Sequence, residues 1–168
     1  MSIIIADASP LIALATIGRL RLLQNLYQNV VIPRAVEKEL KIDSHMRGAE
    51  ELKQAIEEGW LKVSKHTFES ASFFQLLHIL DRGETEAIFL TELIEKTQPY
   101  QFLLIDERKG RKIAKKRGIK IAGSGAVLLA AKKKGFITSV KNELESMTTK
   151  GYRLSKALKQ RLLELSGE

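Results

Sequence analysis

Two aspartates each end a short apolar stretch of the sequence. Asp7 follows "IIIA" at 3–6, and Asp106 follows "FLLI" at 102–105. A carboxylate at the end of a buried strand is costly unless something pairs with it. If both stretches are parallel strands, both carboxylates lie at the edge where such sheets bind ligands. The pair therefore predicts a functional site, although helix capping is the ordinary role of each aspartate alone.

Three glutamates could join these aspartates from neighbouring helices. In "PRAVEKELK" at 33–41, helical spacing places Glu39 at the border of the face that packs on the core. In "LDRGETEAIFL" at 80–90, Asp81 and Glu84 have the spacing of a capping box. Glu84 and Glu86 both lie on stripes with apolar residues, so spacing leaves either one free to face inward. Carboxylates gathered in this way must bind cations or take up protons.

These residues lie in a pattern of strands that alternate with helices. Near-continuous apolar runs predict buried strands at 3–6, 29–33, 60–64, 102–105 and 119–122. Helical spacing predicts helices at 10–27, 34–41, 46–58, 71–79, 82–97, 108–117 and 124–135, with two more toward the end. Ser9 and Pro10 fit the N-cap and first position of the first helix. The alternation indicates an α/β fold of layers, in a single domain spanning 1–168.

The composition favours a polyanionic partner and excludes several classes of protein. The 168 residues carry a net charge of +8, with a sequence pI of 9.7. A basic balance favours nucleic acid, although a lysine-rich solvated surface is the simpler alternative. The absence of cysteine excludes disulfides and thiolate metal sites. Without a run long enough to span a membrane or a signal peptide, we expect a cytoplasmic protein that does not bind membranes.

A basic stretch directly follows Asp106. "RKGRKIAKKRG" at 108–118, with "KKK" at 132–134, could hold a phosphate backbone. Arg111, near the Asp106 end, could clamp a phosphate. Helical spacing turns Lys112, Lys115 and Lys116 toward water, where a solvated helix face is the simpler interpretation. "GSGA" at 123–126 lacks the third glycine of a dinucleotide-binding loop, so we interpret it as a tight turn that brings Ser124 near the acidic residues.

Four motifs together resemble the PIN-domain nucleases. They are "IIIADASPLIAL", "IPRAVEKEL", "LDRGETEAIFL" and "FLLIDERKGRKIAKKRGIKIAGSGAVLLAAKKKGFI". The resemblance spans residues 3 to about 165, and it is closest to a PIN-like branch known only as a domain of unknown function. It implies a three-layer α/β/α sandwich around a central, mostly parallel sheet of about five strands. Residues 139–168 would then be a C-terminal helical extension packed on that domain, and a dimer face or a contact with a partner is the more specific interpretation.

The resemblance also implies a catalytic metal site. The family's four acidic ligands of a divalent metal, Mg²⁺ or Mn²⁺, fall on Asp7, Glu39, Glu84 and Asp106. Supporting roles beside them would fall on Ser9, Glu107 and Ser124. Glu84 stands where many members have Asp, and no Asp occurs after 106, so a fifth acidic ligand could only be Glu107 or water.

The function that this resemblance implies is metal-dependent hydrolysis of RNA, leaving a 3′-hydroxyl and a 5′-phosphate. The chain would be the toxin component of a toxin–antitoxin pair, with a small antitoxin protein as partner, and a homodimer. The alternative is a non-catalytic PIN-like protein that binds nucleic acid and has a degenerate acidic site. A phosphoacceptor domain of receiver type is a third class, against which the missing acidic pair after the first strand argues.

Overall fold

The computed structural model describes residues 3–168 and contains all five predicted strands. Met1 and Ser2, which belong to the predicted domain, lie outside the described residues. The strands are β1 (Ile3–Ala6), β2 (Asn29–Ile32), β3 (Leu61–Val63), β4 (Leu103–Leu104) and β5 (Ile121–Ala122). Each is equal to or shorter than the apolar run that predicted it.

Ten helices connect and follow the strands within the described residues. They are α1 (Ala8–Thr16), α2 (Arg21–Tyr27), α3 (Arg34–Leu40), α4 (Ala49–Glu57), α5 (Ala71–Leu77), α6 (Arg82–Glu95), α7 (Arg108–Lys116), α8 (Ser124–Lys133), α9 (Val140–Thr149) and α10 (Lys156–Ser166). The prediction of one helix over 10–27 is wrong. Gly18 adopts a φ of 73°, which a regular helix cannot continue through, and α1 and α2 are separate helices.

The start of α1 also differs from the prediction. The helix begins at Ala8, so Asp7 rather than Ser9 occupies the N-cap position, and the side chain of Asp7 makes no capping hydrogen bond. Pro10 lies in the first turn, where its missing N–H costs nothing because that turn has no acceptor for it. The carboxylate of Asp7 is therefore not used to cap the helix that follows it.

The sheet confirms the predicted three-layer α/β/α architecture and is parallel throughout. Its strand order is β3-β2-β1-β4-β5. The chain moves outward from β1 to β3 on one side and then crosses to β4 on the other, so the order reverses between β1 and β4. In parallel sheets a crevice opens at that point, outside the carboxyl ends of the strands.

Two apolar cores cover the two faces of this sheet. Alternate residues of β1 point to opposite faces, so Ile4 and Ala6 join one core while Ile5 joins the other. Residues of α1, α2, α4, α8 and α9 pack in the first core, and residues of α6 and α7 pack in the second. The central strands β1 and β4 are buried on both sides, which accounts for their near-continuous apolar sequence.

The C-terminal helices α9 and α10 pack against the rest of the chain through their apolar spacing. Val140, Leu144, Met147 and Leu162 are buried in the first core, whereas Leu158 and Leu165 stay exposed. The side chain of Glu168 accepts hydrogen bonds from Ser139 and from the backbone N–H of Val140, which ties the end of α10 to the start of α9. No helix in residues 3–168 combines the length and the apolar character that crossing a membrane requires.

Candidate metal centre

The four predicted acidic residues come from four elements that end or begin at the carboxyl edge of the sheet. Asp7 follows β1 and Asp106 lies just beyond β4, and these strands are neighbours. The backbone N–H of Asp7 donates to Leu104 O at 2.9 Å, which ties the two strand ends together. Glu39 lies on α3, after β2, and Glu84 lies in the first turn of α6. The structure thus brings all four to the point where strand order reverses.

Asp7 is buried and incompletely paired. Its side chain belongs to a residue that is 3% exposed, and its Oδ1 has no hydrogen-bond partner among the described residues. Burial raises the pKa of Asp7 from 3.8 to about 7, with further increases from the charges of Asp81, Glu39 and Asp106. The backbone N–H of Ala8 opposes this rise without cancelling it. At neutral pH Asp7 is therefore close to half protonated, and a nearby positive charge would favour its ionised form.

Glu84 has the same character on the facing helix. The residue is 6% exposed, and its Oε2 finds no partner in the part of the chain that the structure describes. Burial raises its pKa well above the usual range, and contact with the carboxyl group of Asp81, followed by the charges of Asp7 and Glu107, raises it further. Asp7 and Glu84 thus form a buried acidic pair, each with one free oxygen.

Glu39 is more exposed and lies over the start of α6. Partial burial raises its pKa, as do the charges of Asp81 and Glu86, while the backbone N–H of Gly83 lowers it by hydrogen bonding. A Cβ on Gly83 would stand 2.1 Å from Glu39 Oε1. The carboxylate therefore rests directly on the backbone beside Glu84.

Asp106 differs from the buried pair because both of its oxygens have donors. Oδ1 accepts the backbone N–H of Ser124 at 2.8 Å, and Oδ2 accepts a short hydrogen bond from the hydroxyl of Tyr152. Burial and the negative charge of Asp106 raise the pKa of Tyr152, which keeps its hydroxyl protonated and donating. Tyr152 lies between α9 and α10, and no motif in the sequence marks it because its partner is 46 residues away.

Asp81 also belongs to the acidic cluster, although the sequence predicted only a helix-capping role for it. Its Oδ1 accepts the backbone N–H of Glu84 at 2.8 Å, which confirms the predicted cap. Its charge also raises the pKa values of Asp7, Glu39 and Glu84. The capping role predicted for Asp81 is therefore confirmed, and Asp81 also acts electrostatically on the acidic cluster.

The geometry separates Glu84 from Glu86, which the sequence left open. Glu86 Oε1 accepts the backbone N–H of Ala35 at 3.2 Å, and Oε2 pairs with Arg82 at 2.8 Å. One oxygen of Glu86 thus holds the start of α3, the helix that carries Glu39, and the other is paired within α6. Only Glu84 of the two has an oxygen left for a ligand.

Three glycines make room for three of the carboxylates. A Cβ on Gly83 would meet Glu39, one on Gly110 would stand 2.5 Å from Glu84 Oε2, and one on Gly123 would stand 2.7 Å from Asp106 Oδ1. None of the three has a positive φ, so space rather than backbone conformation requires glycine there. The local sequences "DRGE", "RKGR" and "AGSG" thus carry a signal for the site that the acidic residues alone did not give.

The donor set suits a hard divalent cation, although it is not a complete cage. Within residues 3–168, no group of three acidic or histidine side chains is arranged so that it could hold a metal ion. The free oxygens of Asp7 and Glu84 nevertheless offer two carboxylate ligands, both buried and both lacking donors. Mg²⁺ is commonly held by one or two carboxylates, with water and substrate phosphates completing its shell. Asp7 and Glu84 are therefore the two residues best suited to bind such an ion.

The remaining predicted residues surround a cleft of about 600 Å³ beside the cluster. Ser9, Asp106, Glu107 and Arg111 line it, and Arg111 Nη1 donates to Ile105 O at 2.8 Å. Two arginines that the sequence analysis did not select also line it, Arg108 and Arg153. Ser124 is buried beneath Asp106.

The predicted lysines take no part in lining that cleft. Lys112, Lys115 and Lys116 are exposed on α7, as predicted, but the cleft is lined by arginines instead. Lys133 and Lys134 lie where α8 ends, nine and ten residues after its start at Ser124, which is about 14–15 Å along a helix. The positive charge that lines this cleft therefore comes from arginine.

The all-parallel sheet with its acidic carboxyl edge defines a PIN-like α/β/α domain. The sequence model of a family of domains of unknown function, described as a PIN domain, matches residues 3–168. The chain therefore belongs to the PIN-domain family. PIN domains are generally nucleases, and such nucleases generally use divalent metals. Searches of curated proteins and of solved structures find no match to this chain.

Proposed function

We propose that this PIN-domain protein is an endoribonuclease that depends on Mg²⁺ or Mn²⁺ and hydrolyses phosphodiester bonds of cytoplasmic RNA. The observation that carries the proposal is the pair of free carboxylate oxygens, Asp7 Oδ1 and Glu84 Oε2. Buried polar atoms without partners are rare in folded proteins, and each calls for an explanation such as a bound ion. Their place at the reversal of strand order, in a chain of net charge +8, favours a phosphate substrate.

In this proposal the residues divide the work by their surroundings. Asp7 and Glu84 would hold the metal, with Glu39 and Asp106 at its sides. When bound, a divalent ion supplies a water of lowered pKa and stabilises charge that develops on phosphate oxygens. Asp106 is oriented by Ser124 and Tyr152, while Arg111 and Arg108 offer guanidinium groups for the phosphates beside it.

A cleavage assay with a matched pair of variants tests the proposal. An unstructured RNA labelled at one end is incubated with the protein in EDTA, Mg²⁺ or Mn²⁺. We expect products with 5′-phosphates only with metal, and none from Asp7→Asn. Asp43→Asn makes the same chemical change at a residue whose side chain is 85% exposed, so it should cleave like the wild type. Equal metal-dependent cleavage by wild type and Asp7→Asn would overturn the proposed role of the site.

One observation favours a second function, binding of RNA without cleavage. Tyr152 and Ser124 each donate to one oxygen of Asp106, and no three-carboxylate group suited to a metal occurs among residues 3–168. A degenerate site of this kind would still leave the basic cleft able to hold RNA. The assay separates the two functions, because the binding protein would retain RNA in EDTA and release no products in Mn²⁺.

The toxin role and the homodimer extend this proposal. A nuclease toxin should arrest growth when expressed, and co-expression of a small protein encoded beside it should restore growth. The exposed Leu158 and Leu165 on α10 supply apolar surface for a dimer. Sedimentation equilibrium should show a dimer for the wild type and a monomer for Leu165→Glu. A monomeric wild type would contradict the proposed homodimer.

A further inference from the structure

A second cleft, of about 540 Å³, opens beside Glu39 on the side of the cluster away from Asp106. Arg34, Lys38, His66 and Phe68 line it together with Glu39. Glu39 is thus shared, because its charge also acts on Asp7. The acidic cluster therefore lies between two clefts, the first at Asp106 and Arg111 and the second at Arg34 and Phe68. We call the latter the α3 cleft.

The α3 cleft contains two cations that no protein group neutralises. Arg34 and Lys38 are exposed and form no ion pair with any described residue. They are four residues apart on α3, so they share one face of that helix. Arg82, which also lines the cleft, is paired with Glu86 and lies 5.7 Å from the ring centre of Phe73. Arg34 and Lys38 are the cations that remain available to a ligand.

Phe68 provides an aromatic ring held in a fixed position in the same cleft. Its ring stacks on Phe73 at 5.6 Å between centres and meets Phe89 edge-on at 5.9 Å. The residue is half-buried, so part of it still reaches the cleft. A fixed aromatic ring beside unpaired cations is the combination that binds single-stranded nucleic acid, through base stacking and phosphate contacts.

We propose that the α3 cleft binds a single-stranded segment of RNA next to the bond that is cut, with Phe68 stacking on a base and Arg34 and Lys38 contacting phosphates. The inference rests on the proposed function, because it places the cut bond at the acidic cluster between the two clefts. A strand that spans both clefts must be single-stranded at Phe68, since neighbouring base pairs cover both faces of a base inside a duplex. The protein therefore prefers unpaired RNA that continues on both sides of the cleaved bond.

The first test measures the phosphate contacts through their dependence on salt. Binding of a fluorescein-labelled, unstructured 12-nucleotide RNA is followed by anisotropy in EDTA, so that cleavage does not interfere. The variant Arg34→Gln/Lys38→Gln should lower the salt slope of log K by about 1.4, since each contact to a single strand contributes about 0.7. The control Lys133→Gln/Lys134→Gln removes the same charge at the far end of α8 and should leave the slope unchanged. Equal slopes for both double variants would overturn the inference.

The second test measures stacking at Phe68 apart from charge. Phe68→Leu should weaken RNA binding about five-fold or more while leaving the binding of inorganic polyphosphate unchanged, because only RNA has bases to stack. Phe68→Tyr, which keeps an aromatic ring, should restore RNA binding, and thermal melts of each variant confirm that the fold survives. If Phe68→Leu binds RNA like the wild type while the Arg34/Lys38 variant loses affinity for polyglutamate, the cleft takes an acidic polypeptide and the inference fails.

The two proposals fail in different assays. If the wild-type protein binds RNA through the α3 cleft but never cuts it in Mn²⁺, the proposed nuclease activity is contradicted and the proposed role of the cleft is supported. Wild-type protein that cuts RNA while Arg34→Gln/Lys38→Gln keeps both its affinity and its KM would support the nuclease and overturn the cleft. A duplex of the same sequence should bind more weakly than the single strand, and equal affinity for both would also count against the cleft.

Discussion

The two sides of the acidic cluster are built in opposite ways. Asp7 and Glu84 are almost fully buried, yet each keeps one oxygen without a donor. Asp106 is more exposed, yet Ser124 and Tyr152 donate to its two oxygens. Asp106, which water can reach, thus has a protein donor at each oxygen. Asp7 and Glu84, from which water is excluded, each have one oxygen without a donor.

This difference indicates which carboxylates need a cation. A buried ionised carboxylate with an unpaired oxygen is destabilising, so Asp7 and Glu84 must be protonated or neutralised by a positive ion. Asp106 is stabilised and oriented by the protein itself. We therefore expect a metal to change the buried pair most, and the predictions below test that contrast.

The largest effect should follow from removing the charge of Asp7. Asp7→Asn should reduce metal-dependent RNA cleavage by about 10³-fold, because a catalytic metal contributes several kcal/mol to transition-state stabilisation. Single-turnover cleavage in Mn²⁺ would measure the loss, with Asp43→Asn as the control. A loss of cleavage rate of less than ten-fold would indicate that Asp106, and not the buried pair Asp7 and Glu84, binds the metal.

The next effect concerns stability against pH in metal-free protein. The pKa of Asp7 rises from 3.8 to about 7 on folding, so between these values the folded state binds more protons than the unfolded state. Through Asp7 the free energy of unfolding should therefore fall by up to about 4 kcal/mol as pH rises from about 4 to about 7. Glu84, whose pKa is raised to about 9, should continue the fall above pH 7 in both the wild type and Asp7→Asn. Urea unfolding in EDTA at several pH values would show this loss in the wild type relative to Asp7→Asn.

The same experiment with Mn²⁺ provides the control for that prediction. Metal binds the folded wild type and should raise its unfolding midpoint at pH 8, where Asp7 is ionised, more than that of Asp7→Asn. Parallel pH profiles for the two proteins in EDTA would show that Asp7 is stabilised by groups other than a cation.

The fold could be predicted from the sequence because its signals are local. Each strand is an apolar run of a few residues, and the parallel, doubly covered sheet follows from runs without polar alternation. The helix break near Gly18 was not predicted, because the segments on both sides of it keep helical spacing. One positive φ ended a helix that periodicity alone would have continued.

The site was only partly predictable because several of its contacts join residues that are far apart in the sequence. Asp7 and Asp106 could be found, since each ends a strand, but the hydrogen bond from Tyr152 to Asp106 crosses 46 residues. Spacing could not separate Glu84 from Glu86 either, because the start of α6 is buried on several sides. Hydrogen bonds from Ala35 and Arg82 to Glu86 made the distinction.

Two glycines allow the contrast to be sharpened with small side chains. Gly110→Ala would push on Glu84 Oε2, and Gly123→Ala would push on Asp106 Oδ1, at 2.5 and 2.7 Å from the added Cβ. We expect Gly110→Ala to lower cleavage about 100-fold, as a displacement near 1 Å at a reacting centre can. Gly123→Ala should cost less, because Asp106 lies outside the buried pair. Thermal melts must accompany the rates, since Gly110→Ala also crowds Ile105, and equal losses of rate would remove the distinction.

The smallest effect should come from Tyr152, whose hydroxyl competes with a cation for Asp106. Tyr152→Phe removes a hydrogen bond to a carboxylate and should lower the free energy of unfolding in EDTA by about 1.5 kcal/mol. It also frees Asp106 Oδ2, so Mn²⁺ should bind a few-fold more tightly if Asp106 lies within reach of the metal. Isothermal titration with Mn²⁺ of the wild type, Tyr152→Phe and Tyr100→Phe would measure this, since Tyr100 donates nothing to the acidic cluster and instead accepts from the Lys120 backbone N–H. A lower stability with unchanged Mn²⁺ affinity would show that Tyr152 only anchors the segment between α9 and α10, and that the metal belongs to Asp7 and Glu84 alone.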